Sequence, residues 1–159
     1  MAKATAQDLS QRNSNMARTL TWHNGEKDWS PFSEQEMRSR QDRVRHHMAE
    51  HHIDACLFTS YHNICYLSGF LYCYFGRKYG LVLDHNGATV IAAAIDGGQP
   101  WRRAAADTLT YTDWRKDNFF FAVQQLTKPV RRLALSLTRS ASTIDASLKR
   151  HCRESRWST

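Results

Sequence analysis

The sequence predicts an α/β fold, a mixed β-sheet flanked by helices, and three observations carry that prediction. Helical and strand-like segments alternate along the chain. One stretch, "KYGLVLDHNGATVIAAA", places two apolar runs around Asp84-His-Asn-Gly87, a hairpin signal that demands at least one antiparallel pair. At 159 residues, 42% apolar and 23% charged, the chain is sized and composed for one domain with a real core.

The first convincing helix is predicted from Ser33 to His51. Ser33 and Glu36 have capping-box spacing, and Met37, Val44, Met48 and Ile53 form a sparse apolar stripe with charges on the other face. "IDACLFT" reads as a short buried strand. "SYHNICYLSGF" has Ile64, Leu67 and Phe70 at helical spacing and ends near Gly69, so a short helix or turn is expected. After the hairpin, the paired glycines and Pro100 of "IDGGQPW" break regular structure. "WRRAAAD" looks like a helical turn and "TLTYT" like a strand. "DNFFFAVQQLT" reads as an amphipathic helix stopped by Pro129, and "VRRLALSL" as a further strand.

The formal net charge of +7 points toward nucleic acid only until its distribution is read. Residues 131–159 hold seven of the 22 basic residues and two of the 15 acidic ones, leaving 15 and 13 in the body of the chain. The body is nearly neutral, and no nucleic-acid partner is expected. No run of eighteen apolar residues occurs and the polar start lacks an apolar signal stretch, so neither membrane insertion nor secretion is expected. Cys56, Cys65, Cys73 and Cys152 show no CxxC pairing, and three of them sit in apolar contexts, so buried thiols in a reducing cytoplasm are expected.

Local motifs for chemistry are sparse. His47 and His51 stand four apart on one helix face, a metal-compatible spacing, but no third ligand follows at a recognisable offset, and a solvated face is preferred. "IDGGQPW" lacks the strand–glycine–helix context of a phosphate cradle and reads as a structural loop. No catalytic residue, metal or cofactor is assigned. Arg77 is different: in "FLYCYFGRKYG" its permanent charge sits among aromatic residues, where it must pair with an anion. It is either an ion-pair member or the receptor for an anionic ligand, and the residues alone favour the ion pair.

"FTSYHNICYLSGFLYCYFGRKYGLVL", "AIDGGQPWRR" and "YTDWRKDNFF" closely resemble the N-terminal domain of the creatinases. These belong to the pita-bread family, with aminopeptidase P, prolidase and ectoine hydrolase. The resemblance runs from about Thr19 to about Leu135. It implies metal-free hydrolysis of creatine to sarcosine and urea by a homodimer. A histidine and glutamates of a large C-terminal domain do the chemistry there, and the neighbouring subunit's N-terminal domain closes over the substrate. On that resemblance Phe75 packs on the substrate and Arg77 binds its carboxylate. A fragment of an ectoine hydrolase, whose substrate also carries a carboxylate, or of an aminopeptidase P-like relative is the alternative parent, and a non-enzymatic association module the alternative role.

The expected organisation is an N-terminal extension over residues 1–18, the creatinase-like domain over 19–136 and an atypical basic tail over 137–159. Met16 opens "MARTLTWHNG", which resembles a creatinase start. The tail is rich in Ser, Arg and Thr. With permitted codons, Leu137 onward reads in a frame displaced by two bases as "DQVSIDNRRKLEAALPGVEMVD", similar to the family's continuation. A frameshift near residue 136 is therefore expected, with the catalytic domain missing, marginal stability and no hydrolysis by the chain alone.

Overall fold

A computed structural model describes residues 16–23, 25–28, 31–72 and 76–136. The expectations about the extension before Met16, about Phe75 and about the tail from Leu137 fall outside those residues. Within them, β1 (Thr19–Leu20) leads to α1 (Glu34–Glu50), β2 (Ala55–Phe58), α2 (Tyr61–Ser68), β3 (Gly80–Asp84) and β4 (Ala88–Ala93). Then come α3 (Gln99–Arg103), β5 (Asp107–Tyr111), α4 (Asn118–Thr127) and β6 (Leu133–Ser136). The strands form one six-stranded sheet in the order β1-β5-β4-β3-β2-β6. β4 pairs with β5, and β2 with β6, in parallel; the β2–β3, β3–β4 and β1–β5 pairs are antiparallel. The sheet is mixed, as the hairpin required.

The strands are apolar on both sides because both sides are covered. Leu81 and Leu83 of β3, with Val90 and Ala92 of β4, join Met48, Ile64, Leu67 and Phe70 in one core beneath α1 and α2. Their alternates, Val82, Ile91 and Ala93, join Leu57, Leu109 and α4's Phe119, Phe120 and Val123 in the other. The period of two therefore sorts each strand between two cores. Gly80 marks the tightest approach: a Cβ there would meet Leu57 Cδ1 and Phe119 Cζ at 3.3 Å.

Several local devices differ from their sequence-level expectation. Ser33 Oγ accepts the Glu36 N–H at 3.2 Å, but the Glu36 carboxylate takes Arg40 Nε at 2.9 Å, so only half of the capping box is made. At the hairpin, neither Asn86 nor Gly87 adopts a positive φ. Asp84 closes the turn instead, its Oδ1 accepting the N–H groups of Asn86 (2.8 Å) and Gly87 (2.7 Å). Pro100 does not break structure but occupies the first turn of α3, where no N–H is needed, so this helix starts earlier than "WRRAAAD" implied. β1, absent from the sequence-level prediction, is only two residues long and pairs with the end of β5.

Two buried polar side chains tie the layers together. Gln41 Nε2 donates to the carbonyls of Leu67 (2.9 Å) and Ala105 (3.1 Å), fastening α1 to α2 and to the loop before β5. Asn118 Nδ2 donates to Thr112 O at 2.8 Å while its Oδ1 accepts from Arg18 Nε at 2.7 Å. No helix among the described residues is long and apolar enough to cross a membrane.

Candidate functional site

β2, β4, β5 and β6 all run the same way, so their carboxyl ends lie along one edge of the sheet. β3, running the other way, begins there: Gly80 pairs with Ile91 and Leu81 with Phe58. The segment entering β3, which carries Arg77, is thereby delivered to the edge where α/β sheets most often hold ligands. Gly76 precedes it with φ +74°, a left-handed conformation that suits glycine, and a Cβ at this position would meet nothing within 4 Å. The sequence Gly76-Arg77 is thus a turn that projects the following side chain from a well-packed strand.

Arg77 Nη1 pairs with Asp113 Oδ1, in the loop after β5. Both side chains are partly exposed, at 35% and 40%. Around the pair stands a group of aromatic and acidic residues from the same edge. Tyr111, the last residue of β5, donates its hydroxyl to Lys78 O at 3.0 Å. Tyr79 donates to Asp96 Oδ2 at 2.5 Å and stacks on Tyr72 with ring centroids 3.9 Å apart. Tyr72 in turn stacks on Phe70 and meets Tyr61 edge-on.

The electrostatics keep these phenols as donors. Burial, reinforced by the Asp113 charge, pushes Tyr111 up to about 12. Burial and the bond to Asp96 likewise push Tyr79 well above the ordinary tyrosine value. Neither can act as a base near neutrality. The thiols of Cys56 and Cys65 are pushed up by burial, which disfavours the thiolate a nucleophile needs. Among the described residues this edge therefore offers a cationic fork and ring faces, with the protons of both phenols already given to Lys78 O and Asp96. Its guanidinium can grip and orient an anion.

The arginine singled out in the sequence is thus both an ion-pair member and accessible to solvent. What sequence reasoning missed is its partner, Asp113, with Asp96, Tyr79 and Tyr111. Asp113 lies within "YTDWRKDNFF", but only the side-by-side placement of β3's start and β5's end brings it to Arg77. The loop "IDGGQPW" contributes Asp96 to this edge, and its Trp101 packs against His23 and Lys27.

The Creatinase/Prolidase N-terminal domain family profile matches residues 40–157, a stretch that begins after Thr19 and ends after Leu135. Creatinase of Bacillus sp. (strain B-0618) is 44% identical over 117 residues, 73% of this chain and 28% of that protein. The chain therefore spans well under a third of its curated relative. Among solved structures, the N-terminal domain of an X-Pro dipeptidase from Streptococcus pyogenes superposes with a TM-score of 0.61 at 13% identity, covering 70% of this chain and 86% of that one. A proline dipeptidase from Streptococcus agalactiae gives 0.58 at 16% identity, over 71% and 86%. The prolidase of Pyrococcus horikoshii gives 0.56 at 15%, over 70% of this chain and 29% of that one. At these identities the structures speak for the fold.

Proposed function

The chain belongs to the creatinase/prolidase N-terminal domain family, and from that premise we propose that it is the substrate-closing domain of a creatinase-like amidinohydrolase. Arg77 receives the carboxylate of a creatine-like substrate, Phe75 packs against it, and a catalytic domain supplies the hydrolysis. The observation that carries this reading is the state of Arg77: partly exposed, at the carboxyl edge of the sheet, its charge met by one carboxylate.

A guanidinium presents five N–H donors in a planar fork, so one carboxylate does not exhaust it. Creatine carries a carboxylate at one end and a guanidinium at the other, and an arginine can attract only the first. Asp113 neutralises Arg77 while no substrate is present and gives way to, or shares the fork with, the incoming carboxylate. Orientation of this kind contributes to rate only where an acid–base group acts on the other end of the substrate. The 159-residue chain alone should therefore release no urea from creatine.

Replacing the N-terminal domain of the Bacillus creatinase with residues 19–136 tests the proposal. Urea release by that chimera, with KM for creatine raised at least tenfold by Arg77→Ala and kcat changed little, is the expected result. An unchanged KM overturns the role of Arg77, and urea release by the isolated chain overturns the division of labour. A second reading has its own observation: Tyr61, Leu71 and Ile95, on segments at this same edge, are exposed. They suit an association surface between copies of the chain, which size-exclusion across a concentration series would reveal.

A further inference from the structure

The last turn of α1 holds a group of side chains that the Arg77 edge does not use. His47 and His51 are four residues apart, and Glu50 stands three after His47, so the three meet across one turn of helix. One donor atom from each lies within 4.8 Å of the others. The two imidazole rings meet at 4.3 Å between centroids, and His47 Nδ1 lies 3.6 Å from Glu50 Oε2. Glu50 is the third ligand that the sequence pattern alone had not supplied.

Two neutral imidazoles and a carboxylate are the donor set of Zn²⁺ and its neighbours in the first transition row. Metal–ligand bonds of about 2.0–2.2 Å put donors of a tetrahedral site roughly 3.5 Å apart, so an ion must draw these three together by about an ångström. All three side chains are exposed, and rotamer changes can do this without moving the backbone. The helix C-terminus adds its partial negative charge, which favours a cation. His46, 3.4 Å from the same Glu50 carboxylate, competes for it only through a solvent-exposed contact.

We propose that His47, Glu50 and His51 form a surface site for a divalent transition-metal ion, with Zn²⁺ the best match, that clamps the end of α1. This turn leads into the amino end of β2, the opposite end of that strand from the Arg77 edge, so the site is independent of substrate binding. An ion bound only by the folded chain raises its thermal midpoint, and the rise continues with the logarithm of free ion beyond the dissociation constant.

Titration of the untagged, reduced full-length chain with zinc chloride by calorimetry, alongside thermal unfolding, tests it. The expected result is one ion per chain and a midpoint that rises with zinc. The His47→Ala/His51→Ala double variant should bind at least tenfold more weakly and lose the rise, and His62→Ala, on α2, should change neither. Circular dichroism of the metal-free proteins checks that the substitutions leave the helix content intact. Uptake by the double variant equal to that of the parent places the ion elsewhere and overturns the site, as does a parent chain that takes up no zinc.

Discussion

Arg40 and Arg77 are each paired with a carboxylate, and their surroundings differ in a way that separates scaffold from site. Arg40, on α1, is buried, with its side chain 8% exposed. Its Nε pairs with Glu36, its Nη1 donates to Tyr66 O at 3.1 Å, and its guanidinium lies over the rings of Phe32 and Tyr66 at 4.0 and 4.6 Å. Arg77 is 35% exposed and, among the described residues, is held by the carboxylate of Asp113. A guanidinium bonded through two of its nitrogens and packed against two rings is a rivet between helices. One held at a single corner, on a turn, has capacity left for a ligand.

The sharpest way to break this contrast is to remove each side chain in turn. Arg40→Ala should destabilise the domain by about 3 kcal/mol, through lost packing of its stem and a carbonyl of Tyr66 left without its donor. Arg77→Ala should cost less than about 1 kcal/mol, because a solvated ion pair contributes little. Urea denaturation of both variants measures the difference. Equal losses would mean that Arg77 is as structural as Arg40.

The second effect is on substrate rather than stability. In the chimera with a creatinase catalytic domain, Arg77→Ala should raise KM for creatine about tenfold or more, equivalent to about 1.4 kcal/mol of lost binding per factor of ten. Arg40→Lys, which keeps a charge on α1, should leave KM near the parent value. A third, smaller effect tests the partner. Asp113→Asn keeps the shape but removes the competing charge, and KM should fall about threefold. A rise would show that Asp113 positions the fork instead of competing for it.

The contrast also shows what a sequence can and cannot reveal. The helix at Ser33, the hairpin around Asn86-Gly87 and the apolar strands were legible because each rests on residues close in sequence and repeating with a fixed period. The hairpin was found for an incomplete reason, since the carboxylate of Asp84, not a positive φ at Asn86 or Gly87, closes the turn. β1 has only two residues and no period to detect. Arg77 was visible as an anomaly, a fixed charge among rings, but the anomaly could not say what answered it. Asp113 answers it from another loop, and Glu50 completes a histidine pair only once the helix rotamers are in place. The first is a fact of tertiary placement that no local pattern contains; the second lies in the spacing His47, Glu50, His51 along one helical turn, which the sequence reading passed over.

The smallest predicted effect concerns an exposed carboxylate that, unlike Asp113, is committed to the backbone. Asp54 Oδ2 accepts the N–H groups of Arg132 and Arg131, each at 2.8 Å, fastening the start of edge strand β6 to β2. Those two bonds, that from Arg132 first, hold its carboxyl below the ordinary aspartate value. A depressed folded-state pKa stabilises above the unfolded value, near 3.9, and that contribution disappears as pH falls through the folded one. Asp54→Asn retains an acceptor oxygen but not the charge. Its thermal midpoint should lie slightly below the parent's at pH 6, and the gap should close as both are acidified below about pH 4. A gap that stays constant across that window would show that the carboxylate's charge contributes nothing, and that the acceptor geometry alone secures β6.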